Sequence, residues 1–105
     1  MIGSTFYIYY KMLIYKMQKY LVEFLGTLFL MFVIFYTGNW LAIGAALSIG
    51  VLLGGQISGG SFNPAVTMGL LAAGKINTGD AIPYIIAEIA GALAAFELFK
   101  IVKNN

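Results

Sequence analysis

Apolar residues run almost without interruption through the middle of the chain, where residues 24–74 carry no formal charge. As a single helix this stretch would measure about 76 Å, whereas the hydrocarbon core of a bilayer is about 30 Å thick. The stretch must therefore be broken, and the breaks fall at two glycine-containing segments. One is residues 38–40, and the other is the glycine- and serine-rich run 54–61, which leads into Asn63 and Pro64.

Three apolar segments are predicted to be long enough to cross a bilayer: residues 20–37, 41–57 and 81–99. Each would measure about 26 to 29 Å as a helix, near the lower limit for a membrane span. Asp80 is predicted to be the N-cap of the third span. Pro83 would then lie in its first turn, where a missing N–H does no harm.

A fourth apolar segment, residues 63–73, would form a helix of only about 16 Å, half the thickness of the bilayer. Asn63 is predicted to cap it, with Pro64 at its first position. The glycine-rich run before it cannot face lipid, because non-helical backbone at membrane depth must be buried in protein or line a water-filled cavity. A half-span helix is a typical device of transporters and channels. The pattern therefore predicts an all-α membrane protein with three transmembrane helices and one re-entrant half-helix.

The composition supports this interpretation and excludes several classes of function. Apolar residues make up 61% of the chain and charged residues only 10%, far fewer than a water-soluble monomer needs to cover its surface. Cysteine, histidine and arginine are absent, so thiol chemistry and imidazole catalysis are excluded, and a net charge of +2 gives no nucleic-acid footprint. We expect no enzyme activity, no cofactor and no metal, and we expect the lipid bilayer as the surrounding partner.

The N-terminal residues 1–19 interleave tyrosines with lysines, which indicates an interfacial aromatic belt with basic anchors rather than a signal peptide. An alternative is that translation begins at Met12 or Met17. The predicted organisation is therefore an interfacial segment, 1–19, a single core unit, 20–100, and a tail, 101–105.

Three stretches of the sequence resemble the aquaporin, or major intrinsic protein, family. Residues 58–67 resemble its first Asn-Pro-Ala loop, residues 23–27 resemble its first-helix signature, and residues 84–92 resemble its third helix. Glutamine is usual in the family at the position of Glu88. The three stretches occur in the family's order and spacing, and the resemblance extends from residue 19 to about residue 100.

The resemblance implies a passive channel for water or small neutral solutes such as glycerol or urea. Asn63 would donate a hydrogen bond from its amide to a passing solute, in addition to capping the half-helix, and Pro64 and Ala65 would shape the start of that helix. The backbone of the preceding loop would line the pore, at Gly59, Gly60, Ser61 and Phe62. Glu23 would hold this loop in place, whereas the role of Glu88 stays open.

The resemblance also implies a selectivity constriction. An arginine follows the family's second Asn-Pro-Ala motif, but Val66 follows the motif here, and the position facing that arginine falls at Ile43. We therefore expect an aliphatic, uncharged mouth that selects less strictly than a water channel does.

The family fold contains two inverted repeats, and this chain supplies one. We expect an antiparallel homodimer, formed with an inverted copy and gathered into a larger tetramer-like assembly, in a plasma membrane or bacterial inner membrane. Four lysines are expected on the side of the membrane that holds the N-terminus and two on the other side, or two on each side if translation begins at Met17. The alternatives are an inert fragment, a modulatory subunit of a full-length channel, or a small dual-topology transporter.

Overall fold

The computed structural model describes residues 2–104, which form four α-helices and no strand. The helices are α1 (Ile2–Thr37), α2 (Trp40–Ser58), α3 (Pro64–Ala72) and α4 (Thr78–Lys103). Helix α1 packs against both α2 and α4, and α3 packs against α4, whereas α2 and α3 do not pack against each other. The prediction of an all-α chain is confirmed. Two of the helices, α1 and α2, are long and apolar enough to cross a membrane.

Helix α1 is a single helix of 36 residues, about 54 Å long, and it therefore exceeds the thickness of the hydrocarbon core. No break separates residues 2–19 from the rest of the helix, because this stretch contains no proline and its one glycine, Gly3, lies in the first turn. The boundary expected at residue 20 lies within this helix, and the division into an interfacial segment and a core unit stays a prediction. The helix ends at Gly38, which has φ 55°, and Asn39 begins the next helix by accepting a 3.0 Å hydrogen bond from the Ala42 N–H.

Helix α3 has nine residues and measures about 14 Å, slightly less than the segment predicted from the sequence. Asn63 is its N-cap and Pro64 its first residue, as predicted. The chain leaves the helix through Gly74, at φ 73°, and the Lys75 N–H donates to the Leu70 carbonyl at 2.8 Å. Glycine suits this position because an L side chain rarely adopts a positive φ.

Helix α4 starts earlier than predicted, and the prediction that Asp80 is its N-cap is wrong. Asn77 occupies the cap position, and Asp80 lies in the first turn. The Asp80 carboxylate is buried and accepts hydrogen bonds from Lys19 Nζ at 3.0 Å and Tyr20 Oη at 2.8 Å, both on α1. The Asp80 carboxylate therefore binds donors on a neighbouring helix, whereas the sequence predicted that it would accept from backbone N–H groups of its own helix.

Small residues at four-residue spacing allow the helices to approach closely. Ala46 and Gly54 of α2 are buried, as are Gly91 and Ala95 of α4. A Cβ atom at Gly91 would overlap the Phe24 carbonyl oxygen of α1, so the two backbones touch there.

At the far end of the α1–α4 pair the contact is aromatic. The Phe35 ring lies 5.6 Å from the Phe96 ring and 5.4 Å from the Phe99 ring, between centroids. Edge and offset ring contacts at these distances stabilise helix packing beyond the area they bury.

Gly91→Ala should destabilise the fold by about 1 to 3 kcal/mol, because its methyl group has no space against the α1 backbone. Gly44→Ala is the matched control, since nothing lies within 4 Å of a Cβ at Gly44 and alanine is the better helix former. Denaturant titration of the protein in detergent micelles measures both free energies of unfolding. Equal stability of the two variants would contradict the close contact of α1 with α4.

Candidate functional site

The carboxylate of Glu23 lies at the centre of the candidate site. This side chain is fully buried on α1. Its Oε2 accepts a hydrogen bond from Ser58 Oγ at 2.6 Å, and its Oε1 accepts from Ser61 Oγ at 3.0 Å and from the Phe62 backbone N–H at 2.8 Å. One side chain of α1 therefore holds the end of α2 and the loop that follows it.

The loop between α2 and α3 has an unusual backbone, because three of its residues have positive φ angles. Gly59 is at 91°, Gly60 at 66° and Phe62 at 53°. Glycine adopts these angles freely, whereas Phe62 is strained by them. The hydrogen bond to Glu23 and the burial of the Phe62 ring offset this strain.

The Phe62 ring is 3% exposed and occupies a space that glycines leave open. A Cβ atom at Gly26 of α1 would overlap the ring, and one at Gly50 of α2 would lie 3.0 Å from it. At Gly54 the corresponding distance is 3.5 Å. The side chain of Phe62 is thus enclosed between α1 and α2.

A second buried carboxyl group, that of Glu88 on α4, faces the same loop. Its Oε2 lies 2.9 Å from Ser61 Oγ and 2.7 Å from Thr67 Oγ1. The two hydroxyl oxygens are themselves 2.7 Å apart. Ser61 therefore connects Glu23 to Glu88, and Thr67 ties α3 to the same cluster.

Further contacts join the loop to the start of α4. The Tyr84 hydroxyl donates to the Ser58 carbonyl at 2.6 Å and satisfies a backbone group at the end of α2. The ring of Tyr84 contacts that of Tyr20 edge to face, at 6.0 Å between centroids. The Lys19–Asp80 ion pair, at 3.0 Å, lies on the same side of the molecule.

Asn63 caps α3 and is exposed. Its Oδ1 accepts from the Ala65 N–H at 2.7 Å and more weakly from the Val66 N–H at 3.4 Å. Nothing within residues 2–104 accepts a hydrogen bond from its Nδ2. The side chain therefore presents two N–H donors at the N-terminus of a helix, beside the partial positive charge of the helix dipole.

The residues expected to form a constriction lie apart within one chain. Val66 is 45% exposed on α3, and Ile43 is partly exposed on the first turn of α2. Because α2 and α3 do not pack together, the chain by itself does not bring these two side chains face to face. Ala65 is exposed beside Val66, and Pro64 is partly exposed.

Sequence reasoning missed three residues of the site: Ser58, Thr67 and Tyr84. Two buried acids within an apolar stretch need hydroxyl or amide donors, which is a signal for Ser58 and Thr67 near the loop. Thr67 also stands one helical turn after Asn63, on a helix whose other positions are apolar or glycine. No comparable signal points to Tyr84.

The sequence matches known proteins over this same region. The family model described as major intrinsic protein matches residues 37–105. The chain is 48% identical over 88 residues to glycerol uptake facilitator protein-like 6 of Lactiplantibacillus plantarum, covering 75% of this chain and 41% of the relative. It is 37% identical over 104 residues to aquaporin Z of Bradyrhizobium diazoefficiens, covering 85% and 43%. No solved structure matches the chain.

The chain spans less than half the length of the curated relatives it matches. The matched residues nevertheless include the loop, α3, and all of α2 and α4. The chain is thus an integral membrane protein that belongs to the major intrinsic protein family.

Proposed function

We propose that the chain supplies one half of a passive membrane channel for water or small neutral solutes such as glycerol or urea. The observation that carries the proposal is a loop in which Ser61 and Phe62 are buried and held by Glu23, and which ends in the exposed amide of Asn63. The names of the relatives, a glycerol uptake facilitator and aquaporins, support the same class of solute.

In this proposal α3 is a re-entrant half-helix, and α4 is a third membrane span beside α1 and α2. The nine residues of α3 are too few to cross a bilayer, and its N-terminal loop is enclosed by α1, α2 and α4. The 26 residues of α4, about 39 Å, are enough to cross. Support for a span also comes from the packing of α4 along α1, one of the two helices long and apolar enough to cross a membrane.

Asn63 acts as a donor to the passing solute. Its Oδ1 is occupied by the cap, so its Nδ2 is the group free to bind a solute oxygen. The N-terminus of α3 adds about half a positive charge, which favours an oxygen atom and repels cations. The backbone of Gly59, Gly60, Ser61 and Phe62 lines the path next to it.

The complete pore needs an inverted second copy of the chain. One chain leaves Asn63, Val66 and Ile43 exposed or partly exposed on surfaces that do not meet. An antiparallel homodimer brings two half-helices end to end and doubles the set of lining residues, and such pairs assemble into a larger ring. The mouth then contains aliphatic Val66 and Ile43 from both copies and no fixed cation.

Asn63→Asp should lower water and glycerol flux and raise cation leak, because an anion replaces the neutral donor. A change of about 1.4 kcal/mol in the barrier corresponds to about tenfold in rate. Osmotic shrinkage and re-swelling of liposomes that contain purified protein measure the flux. Asn39→Asp is the matched control, since Asn39 caps α2 through the same kind of Oδ1 contact. Unchanged flux in Asn63→Asp at equal protein density would contradict the pore role of Asn63.

Val66→Arg should reduce glycerol and urea flux more than water flux, because a cation narrows and charges an aliphatic mouth. Val102→Arg is the control, since Val102 is similarly exposed but lies near the C-terminal end of α4. The rate of shrinkage in sucrose measures the water flux, and the rate of re-swelling in glycerol measures the glycerol flux. A parallel loss of both fluxes, or no loss, would argue against Val66 as a selectivity residue.

Asn104→Cys tests the antiparallel arrangement, since the chain has no cysteine of its own. Membrane-impermeant thiol reagents should label this position from both sides of intact vesicles. Labelling from one side only, in vesicles that conduct fully, would exclude the inverted homodimer. Absence of conduction by the chain alone, restored by a co-expressed full-length channel, would identify a modulatory subunit instead.

A further inference from the structure

Glu23 and Glu88 both lie within hydrogen-bond distance of the same serine oxygen. Ser61 Oγ lies 3.0 Å from Glu23 Oε1 and 2.9 Å from Glu88 Oε2. Thr67 Oγ1 completes the cluster, at 2.7 Å from both Ser61 Oγ and Glu88 Oε2. All four side chains are buried. These groups therefore make four short oxygen–oxygen contacts, and the protons in those contacts come from the two hydroxyls and the two carboxyl groups.

Counting protons shows that two ionised carboxylates do not fit this cluster. The hydroxyls of Ser61 and Thr67 supply one proton each, and an ionised carboxylate supplies none. Two of the four contacts would then place bare oxygen lone pairs against each other inside an apolar membrane protein. A third proton on a carboxyl group leaves only one contact without its own proton, and bifurcated sharing within the Ser61–Thr67–Glu88 triangle covers it.

The hydrogen-bond environments of Glu23 and Glu88 indicate which of the two carboxyl groups carries that proton. Glu23 has hydrogen-bond donors on both of its oxygens, from Ser58, Ser61 and the Phe62 backbone, which is the environment of an ionised carboxylate. The Oε1 of Glu88 is buried and lies near no donor in residues 2–104. An unsatisfied charged oxygen is far more costly than an unsatisfied carbonyl oxygen, so Glu88 is the acid that carries the proton.

No cation offsets a second charge at this place. The salt bridges among residues 2–104 join Lys19 to Asp80 and Lys100 to Glu97, and neither involves Glu23 or Glu88. Toward Glu88, α1 presents Glu23, the loop presents Ser61, and α3 presents Thr67 and no titratable group. On α4 itself, the nearest titratable group is Tyr84, whose hydroxyl is occupied by the Ser58 carbonyl.

We propose that Glu88 is a positioning residue that works as a neutral carboxylic acid, with its proton on Oε2 shared with Ser61 and Thr67. In this state it locks the loop against Glu23 and holds the N-terminus of α3 in place. Its effect on conduction rests on the proposed channel function, whereas its protonation and its effect on stability do not.

The infrared spectrum of the reconstituted protein gives a direct readout. At neutral pH we expect a carbonyl-stretch band of a protonated carboxyl group, shifted in heavy water and absent from Glu88→Gln. Glu97→Gln is the matched control and should keep the band, because Glu97 is exposed and paired with Lys100. Absence of the band from the native protein, or its survival in Glu88→Gln, would overturn the proposal.

Thermal unfolding at different pH values separates a positioning role from simple filling of space. Because the folded state holds the Glu88 proton and the unfolded chain releases it near the ordinary pKa of a glutamate, the stabilisation that comes from Glu88 is complete at low pH and falls as the pH rises. Between about pH 5 and pH 8 the native midpoint should fall further than that of Glu88→Gln, by on the order of 5 °C. Equal slopes for the two proteins would overturn the proposal.

The conservative variant supplies the rescue. At a pH where Glu88 is neutral, Glu88→Gln keeps a neutral N–H donor and should match the native midpoint and liposome flux, whereas Glu88→Ala should have a lower midpoint and a lower flux. Glu23→Gln should also be destabilised, because the amide nitrogen cannot accept the hydrogen bonds that Glu23 accepts. Vesicles that conduct nothing while the infrared and stability results hold would refute the channel function and support the role of Glu88. A destabilised Glu88→Gln would refute that role.

Discussion

A stretch of backbone that belongs to no helix cannot lie inside a membrane unless its N–H and C=O groups find partners within the protein. In this chain the Glu23 carboxylate provides such a partner for one loop group, the Phe62 N–H, and it also accepts from the two serines that flank the glycines of the loop. The other loop features depend on this anion. It fixes the strained φ of Phe62, and through Phe62 it sets where Asn63 begins α3.

The hydroxyl groups around Glu23 and Glu88 come from different elements of the fold and connect them. Ser58 belongs to α2, Ser61 to the loop and Thr67 to α3, and the two acids that they bridge belong to α1 and α4. All four helices therefore meet in one polar cluster. The other contacts between helices are apolar or aromatic packing and a smaller polar set, which includes the Lys19–Asp80 ion pair. Because these hydrogen bonds are linked to one another, loss of one hydroxyl affects helices that the residue does not belong to.

Local signals predicted much of the fold, and contacts between distant residues account for the rest. Gly38 marks the end of α1, and the Asn63–Pro64 pair marks the start of α3. Both signals come from residues next to the helix end, and both ends lie where the sequence predicted them. Asp80 carries an equally good cap signal, yet Lys19 and Tyr20 engage it from 60 residues away. Ile43 and Val66 lie on helices that do not pack together, so the constriction that they were expected to share stays a prediction.

The Phe62 ring fills the space that the surrounding glycines leave, so the sizes of these residues depend on one another. Gly26 belongs to α1 and Gly50 to α2, so residues far apart in sequence enclose one aromatic side chain. A methyl group can be added at Gly26 only if the ring at position 62 shrinks, and a smaller residue at position 62 leaves a void that only larger neighbours fill. These positions therefore change together in evolution or not at all, and divergent sequences of this fold should exchange bulk among them at nearly constant total volume.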